Sequence, residues 1–203
     1  MPRILTNDDV AEFRQRLCNA AARLFIERGP DAVTMRSLAQ ELGCSAMTPY
    51  RYFKDKDAIL ASVRARGFDE FAYALEQAGA ASEDAVARAR AVGGAYIRFA
   101  TERPHVYRMM FDTPFLGSAD SDPDLVRAGE RAREQMKSYV RGLVSAGVID
   151  GDPTLIGNLL WAGVHGVVML SLCGMLSRHL SAEALSVELL QAVIERNRPN
   201  PPV

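Results

Sequence analysis

The most restrictive feature of this sequence is an uncharged stretch in its last third. Residues 153–177, PTLIGNLLWAGVHGVVMLSLCGMLS, contain no Asp, Glu, Lys or Arg, and the stretch is long enough to cross a bilayer as a helix. Asn158, His165 and several glycines interrupt it, and no basic cluster flanks it. We therefore expect a helix buried on nearly all sides, in a helical domain or an oligomer interface. A membrane-anchored helical protein is the alternative.

Helical periodicity recurs in the rest of the chain, and strand patterns are nearly absent. Phe13, Leu17 and Leu24, for example, follow the three-four spacing of an amphipathic helix. The composition, 48% hydrophobic and 24% charged over 203 residues, is ordinary for a soluble globular protein. A loop is expected at residues 112–123, DTPFLGSADSDP. Caps, glycines and prolines divide the chain into about nine helices, at residues 6–29, 34–43, 45–53, 56–77, 82–102, 104–111, 123–147, 153–177 and from 181 to the proline-rich tail.

Charge and cysteine usage restrict the partners and the compartment. The formal net charge is −1, so a nucleic-acid surface must be a local patch. Residues 1–56 hold nine Lys and Arg against seven Asp and Glu, a formal charge of +2. The N-terminal residues MPRILTNDDV have no apolar signal core, and the cysteines are too few for a disulfide framework, so a cytoplasmic location is expected. No compact metal-ligand spacing occurs among Cys18, Cys44, Cys173, His105, His165 and His179, so neither a metal nor another cofactor is expected.

Two short predicted helices joined by the residues LGCS form a helix-turn-helix pattern. Gly43 supplies the tight turn, and the second helix of such a pair enters the major groove of DNA. The residues at its start offer apolar and hydroxyl groups to base edges: Ser45, Ala46, Met47, Thr48 and Pro49. The residues that follow are phosphate donors: Tyr50, Arg51, Tyr52, Lys54 and Lys56. Thr34 and the amides behind it form a further phosphate seat.

The pattern predicts an all-α chain with two parts that share a helix. Residues 1–56 would form a three-helix, helix-turn-helix DNA-binding domain, and residues 57–203 a second helical domain. The border falls at the fourth predicted helix, which runs from about Lys56 to Gln77, so no flexible linker is expected.

Pro49 is unusual near the start of a short helix. If Ser45 is the N-cap, Pro49 lacks the amide that would bond to the Ser45 carbonyl. If Thr48 is the cap, Pro49 occupies the first helical position, where no bond is lost. Because proline also disfavours helical geometry at the preceding residue, we predict a loosened or 3₁₀-like first turn, with regular helix from Pro49 onward.

The segment TMRSLAQELGCSAMTPYRYFKDKDAIL resembles the DNA-binding domain of the tetracycline-repressor-like (TetR) family of transcriptional regulators. The run Tyr50-x-Tyr52-Phe53-x-x-Lys56 carries the resemblance, which covers about residues 10–60. The resemblance implies an all-helical homodimer whose N-terminal lobe binds a palindromic operator on double-stranded DNA. It also implies that residues 57–203 form the domain for binding a small effector and for dimerisation. Pro49 stands where the family usually has Leu or another aliphatic residue. Carried onto this sequence, the resemblance implies that Phe53 packs inward. It also implies that DNA is contacted by Thr34, Arg36, Thr48, Tyr50, Tyr52 and Lys56.

A second constellation lies in the uncharged helix, where Trp161, His165 and Met169 share one face. It resembles the C-terminal domain of a TetR subgroup with a Trp-His-Gly motif, here Trp161, His165 and Gly166; RPHVYRMMF and GVIDGDP also fit that subgroup. A hydrogen-bonded core histidine is the competing interpretation. Aromatic residues and methionines on the surrounding helices are candidate ligand contacts, although they equally fit a packed core: Tyr96, Phe99, Tyr107, Met110, Phe111, Met136, Tyr139, Trp161, His165 and Met169.

The opposite face of the uncharged helix, together with the last helix, would form the dimer interface as a four-helix bundle. The predicted interface residues are Leu160, Val164, Val168, Met175, Leu185, Leu189 and Val193. The predicted function is a ligand-responsive repressor, and an activator of the same fold is an alternative. An enzyme that uses His165 with Cys173 or an acidic residue is a third hypothesis, but His165 and Cys173 lie about 12 Å apart along one helix, and no nucleophile-base pattern is present.

Overall fold

The computed structural model describes residues 6–111 and 122–199. All regular structure in these ranges is helical, without a strand, which confirms the all-α prediction. The predicted loop at residues 112–123 lies outside the described residues except at its last two positions, and so does the tail from residue 200. The α-helices are α1 (Asn7–Arg28), α2 (Met35–Glu41), α3 (Lys56–Gly79), α4 (Ala85–Glu102), α5 (Pro104–Phe111), α6 (Pro123–Ser145), α7 (Pro153–Leu172) and α8 (Ala182–Arg196); Pro30–Ala32 and Pro49–Arg51 are 3₁₀ helices.

The chain divides into two compact units. Unit one comprises Met1–Gly67 and Met109–Arg127, and unit two comprises Phe68–Arg108 and Ala128–Val203. The border after Gly67 falls inside α3, whereas the predicted domain border between residues 56 and 57 stays a prediction.

Unit one is built on helix caps that the sequence encodes locally. Thr6 and Asp9 form a reciprocal capping box at the start of α1, and Thr34 and Ser37 form another at the start of α2. The apolar stripes of α1 and α2 then meet in a core with the start of α3, which removes their largest side chains from water. The most buried members of this core are Leu17, Ala21, Leu24, Phe25, Val33, Leu38 and Ile59.

The turn after α2 is set by Gly43. Its φ of +64° is a left-handed conformation that glycine adopts without steric cost. The Cys44 amide donates to the Ala39 carbonyl over 3.0 Å, and the Gly43 amide donates to the Gln40 carbonyl over 3.1 Å, which is the Schellman pattern of helix ends. The predicted tight turn is therefore confirmed.

The predicted third helix at residues 45–53 is not an α-helix. The Thr48 amide donates to the Ser45 carbonyl over 2.8 Å, and the Tyr52 amide donates to the Pro49 carbonyl over 3.0 Å, so these bonds span three residues. Only the last bond, from the Phe53 amide to the Pro49 carbonyl over 3.0 Å, spans four. Pro49 has no amide for the Ser45 carbonyl, and the Thr48 amide serves that carbonyl instead. The predicted irregular first turn is confirmed, but regular helix does not follow. Thr48 itself is helical, with φ −63° and ψ −46°, against the expectation for a residue before proline.

In unit two, α7 and α8 pack closely because Gly163 has no side chain. A Cβ at Gly163 would lie 2.5 Å from Leu189 Cδ2, nearer than packed atoms approach. Gly163 therefore permits the close approach of the two helices. Gly166 is different, because a Cβ there would meet nothing within 4 Å. Asp152 caps α7 and Ser181 caps α8 as predicted, whereas the cap of α4 is Asp84 rather than Ser82.

Helix α7 is less buried than its sequence suggests. Its length and mean hydropathy of 1.7 would allow it to cross a membrane, and only 22% of its most apolar window is buried in the chain. The expectation of burial on nearly all sides is therefore wrong for the single chain. The buried residues form one stripe, Ile156, Gly157, Leu160, Val164 and Val168, while Leu155, Leu159 and Leu170 are about half exposed.

Candidate DNA-binding surface and buried polar network

The segment after Gly43 exposes several of the predicted DNA contacts on unit one. Met47 is 67% exposed and Tyr50 50% exposed. The structure thus gathers apolar, phenolic and cationic groups beside the turn. The other exposed members of the predicted set are Thr34, Arg36, Ser45, Ala46, Arg51 and Lys54, while Thr48, Tyr52 and Lys56 are half-buried.

Two predicted contacts face the interior to different degrees. Pro49 is buried, so its ring offers little surface to a base. Tyr52 stacks on Phe13 of α1, with ring centroids 4.3 Å apart, and only its outer part reaches solvent. Phe53 is buried at 5% exposure, as the family resemblance implied.

Arg14 of α1 fixes this segment to unit one. Its guanidinium lies 4.0 Å from the centre of the Phe53 ring, a cation–π contact, and it donates a hydrogen bond to the Tyr52 carbonyl. The sequence analysis did not identify Arg14, because its partners lie 38 residues away and no local pattern links them.

Lys56 has a structural partner in addition to its predicted role. Its Nζ donates to the carbonyl of Pro30 over 2.8 Å. This bond joins the start of α3 to the 3₁₀ helix Pro30–Ala32. An ammonium has three donors, so two remain for another acceptor.

A chain of hydrogen bonds runs through the interior of unit two. The Trp161 indole Nε1 donates to the Tyr96 hydroxyl over 3.2 Å. The Tyr96 and Tyr107 hydroxyls lie 2.7 Å apart, and the Tyr107 hydroxyl lies 2.6 Å from Nδ1 of His165. Both tyrosines have no exposed surface. These four residues, which we call the tyrosine network, join α4, α5 and α7.

The donors of the tyrosine network can be assigned by satisfying every group. The indole N–H only donates, so Tyr96 accepts from Trp161. If Tyr96 donates to Tyr107 and Tyr107 donates to Nδ1 of His165, each hydroxyl hydrogen has an acceptor. The reverse order would leave the Tyr96 hydrogen without an acceptor in the network. His165 is therefore neutral with its proton on Nε2.

Burial favours the neutral form of each of these groups. It lowers the pKa of His165 and raises the pKa of Tyr96 to about 12, because a low-dielectric interior disfavours charge. Burial also raises the pKa of Tyr107. All three side chains are neutral near pH 7, as the hydrogen-bond assignment requires.

Eight of the ten predicted ligand contacts belong to unit two, and these eight do not line one cavity. Met110 and Phe111 belong to unit one. Tyr96, Tyr107, Trp161 and His165 form the tyrosine network described above. Met136 and Tyr139 instead line a cavity between α4, α6, α7 and α8, whose other walls include Val92, Leu143, Leu160, Val164 and Leu190. Phe99 lines an open groove with Tyr73 and Arg98.

The residues of α7 that were predicted to form the dimer interface are buried inside unit two instead. Leu160, Val164 and Val168 are buried inside the unit, at 9%, 6% and 0% exposure, which leaves no surface for a second copy. Met175 follows the end of α7 and is 74% exposed. The predicted residues of α8, Leu185, Leu189 and Val193, are half-buried.

Family models match both units. Residues 17–63 match the model described as bacterial regulatory proteins, tetR family. Residues 89–195, more than half of the chain, match the model described as tetracyclin repressor-like, C-terminal domain. The chain belongs to the TetR family. The helix-turn-helix prediction and the family resemblance are therefore confirmed, and the enzyme alternative loses its support because this family consists of DNA-binding regulators.

Relatives and solved structures agree with this membership. An HTH-type transcriptional regulator of Staphylococcus aureus (strain USA300) is 41% identical over 63 residues, which are 31% of this chain and 34% of that protein. The chain thus matches about a third of the length of such curated relatives. A protein of unknown function from Rhodococcus sp. RHA1 has a TM-score of 0.81 at 25% identity, over 98% of this chain and 100% of that one. A TetR family regulator from Marinobacter aquaeolei VT8 has a TM-score of 0.69 at 21% identity, over 92% and 96%, which supports the fold.

Proposed function

We propose that this protein is a dimeric transcriptional repressor that binds a palindromic operator and releases it when a small apolar or amphipathic molecule binds. The observation that carries the proposal is the exposed cluster of Met47, Tyr50, Arg51 and Lys54 beside the Gly43 turn. Such groups suit the phosphates and base edges of DNA. The net charge of −1 restricts DNA binding to a local surface of this kind.

Within the segment, the burial of each residue refines its proposed role. Ser45, Ala46, Met47 and Thr48 would meet base edges, because they are exposed or half-buried and precede the 3₁₀ turn. Tyr50, Arg51, Lys54 and Lys56 would bind phosphates, with Thr34, Arg36 and the edge of Tyr52. Pro49 is assigned to the interior of unit one, because it is buried. Its proposed effect on DNA is indirect, through the shape of the turn.

The second copy would cover the exposed apolar face of α7. Leu155 and Leu159 are 59% and 54% exposed, and Leu170 is 48% exposed. Together with Ala162 they follow helical spacing along one side of α7. An apolar stripe of this length is costly to leave in water. A two-fold axis beside α7 would pair the stripe with itself, and a dimer of this symmetry would bind palindromic half-sites about one or more helical turns apart.

The subgroup, the cellular location and the sign of regulation are proposed from family membership and sequence. We place the chain in the Trp-His-Gly subgroup, because Trp161 and His165 are both held in the tyrosine network. A cytoplasmic location would follow from binding to chromosomal DNA. An activator of the same fold is the second candidate, and the position of the operator relative to the promoter would distinguish the two.

Selection of binding sites from a random double-stranded DNA library would test the proposal. We expect an enriched palindrome, and we expect Tyr50→Ala to weaken binding to it. Tyr73→Ala is the matched control, because Tyr73 is a similarly exposed tyrosine, at 57%, on unit two. Failure to enrich any sequence, or equal loss of binding in both variants, would contradict the proposal.

A further inference from the structure

The cavity in unit two has a composition that restricts its ligand. It lies between α4, α6, α7 and α8, and its walls are mostly aliphatic, with Val92, Leu143, Val164 and Leu190 among them. Tyr139 contributes a largely buried ring. The Ser186 hydroxyl, which also lines the cavity, already donates to the Glu183 carbonyl over 2.9 Å. A ligand inside would therefore meet an apolar surface with few polar partners.

The size of the cavity favours a short chain. Its volume is about 50 Å³, well below the ~150 Å³ of a cavity that holds benzene. A drug-sized molecule needs ~300 Å³ or more. A short aliphatic chain requires the smallest displacement of the side chains that line the cavity, whereas a long-chain or cyclic ligand would require them to repack.

Arg90 supplies the charge at this cavity. Arg90 is exposed. Among the described residues that line the cavity, it is the one with a charged side chain. Arg90 forms no ion pair within residues 6–111 and 122–199. By contrast, Arg88 on the same helix donates to the carbonyls of Ser82 and Glu83. A guanidinium held at the rim of an apolar cavity suits a carboxylate.

We propose that this cavity binds a short-chain aliphatic carboxylate, with its chain among the aliphatic walls and its carboxylate on Arg90. The site differs from the tyrosine network, and it deepens the function proposed above because it would be the effector site of that regulator. Binding can nevertheless be measured without DNA, so the two proposals fail separately.

Gly93 allows the cavity to be filled without disturbing the fold. A Cβ at Gly93 would meet nothing nearer than the Ser186 Oγ at 4.0 Å, and replacing a helical glycine improves helix propensity. Gly94 is the matched control, because it is the next residue of α4 and does not line the cavity. A Cβ there meets only the flexible end of Arg98, at 3.3 Å.

The experiment is calorimetric titration of the full chain with butanoate, hexanoate and decanoate, and with butan-1-ol and butylammonium as head-group controls. We expect butanoate or hexanoate to bind at least tenfold more tightly than decanoate or the two controls. Gly93→Leu should abolish this binding, and Gly94→Leu should retain it. Arg90→Gln should remove the preference for the carboxylate, while Arg98→Gln, on the same helix, should keep it.

Three results would overturn the proposal: no binding of any acid, equal binding by the Gly93→Leu and wild-type proteins, or a carboxylate preference that survives Arg90→Gln. Gly93→Ala provides a milder filling of the cavity if Gly93→Leu does not fold, which thermal unfolding would reveal. Failure of the protein to bind any DNA would contradict the proposed function, whichever way the titrations turn out.

Discussion

The hydroxyl of Tyr107 lies 2.6 Å from Nδ1 of His165, and this bond ends a hydrogen-bond chain that begins at Trp161. Because the Trp161 indole N–H, the two tyrosine hydroxyls and Nδ1 of His165 are all partnered in this hydrogen-bond chain, the interior of unit two can hold them with less of the usual cost of buried polar groups. Trp161 and His165, which suggested a ligand site in the sequence, therefore have a structural role in unit two.

Removing the Tyr107 hydroxyl should destabilise the protein measurably, although only one oxygen atom is lost. In Tyr107→Phe, the Tyr96 hydroxyl loses its acceptor and His165 loses its donor. Leaving such buried groups unpaired costs about 1–3 kcal/mol each, so we expect the free energy of unfolding to fall by at least ~1 kcal/mol. Urea denaturation would measure this. Tyr73→Phe, at an exposed position, should change little; equal effects of the two substitutions would refute the assignment.

The stability of the protein should decrease in acid because of His165. Burial lowers the pKa of His165 in the folded state below its ordinary value of 6.5. As the pH falls through that value, the unfolded chain takes up a proton that the folded chain resists, and the free energy of unfolding falls. Below the folded-state pKa both states are protonated, and the loss levels off.

Comparison with His165→Asn isolates this pH dependence. The Asn oxygen can accept the hydrogen bond from Tyr107 but does not titrate. The stability of the wild type relative to this variant should decline as the pH falls through the ordinary pKa of 6.5 and below it, as measured by urea denaturation at each pH. His179→Asn is the control at an exposed position. A difference that is constant, or that grows in acid, would contradict burial as the cause.

Replacing Lys54 should affect DNA binding alone, whereas replacing Lys56 should affect both DNA binding and stability. Lys54 is exposed, so Lys54→Ala should reduce the salt dependence of operator binding by about one charge and leave stability unchanged. Lys56→Ala should reduce the salt dependence similarly and also lower the free energy of unfolding by about 0.5–1.5 kcal/mol, because the bond to the Pro30 carbonyl is lost. Fluorescence anisotropy at several salt concentrations measures the first effect. Lys137→Ala, in unit two, is the control whose salt dependence should match that of the wild type.

Much of the fold could be predicted because its signals are local. Thr34 at the start of α2, Gly43 after α2 and Pro153 at the start of α7 each act within a few residues, so the ends of most helices could be predicted. The contacts of the tyrosine network are not local, since Tyr107 and His165 are 58 residues apart. No spacing rule could show that these side chains bond to one another.

Two predictions went wrong for physical reasons. Helix α7 has no charged residue on any side, so hydrophobic periodicity could not tell its inner stripe, with Leu160 and Val164, from its outer stripe, with Leu155 and Leu159. At Pro49 the missing amide does loosen the first turn as predicted, but a regular helix does not resume after it. The bond from the Thr48 amide to the Ser45 carbonyl shows that the chain tightens into three-residue turns instead.

Restoring an amide at position 49 should therefore change the turn. In Pro49→Ala the new N–H can donate to the Ser45 carbonyl, which would favour an α-helical turn over the three-residue turns. We expect this amide to be protected from hydrogen exchange and the preferred operator sequence to change, because residues 45–48 would be repositioned. Pro30→Ala, in the other 3₁₀ helix, is the control for replacing a proline. An exposed amide with an unchanged sequence preference would show that Pro49 does not set the turn.

A charge on the outer stripe of α7 should dissociate the proposed dimer. Around a two-fold axis each stripe residue faces the same stripe of the second copy. Leu159→Glu would therefore bury two carboxylates in one apolar contact, which costs several kcal/mol unless they are paired. Sedimentation velocity at micromolar concentration should show a dimer for the wild type and a monomer for this variant. Leu180→Glu is the matched control, because Leu180 is 41% exposed and lies outside α7; it should remain a dimer. A Leu159→Glu protein that sediments as the wild type does would place the interface on another face.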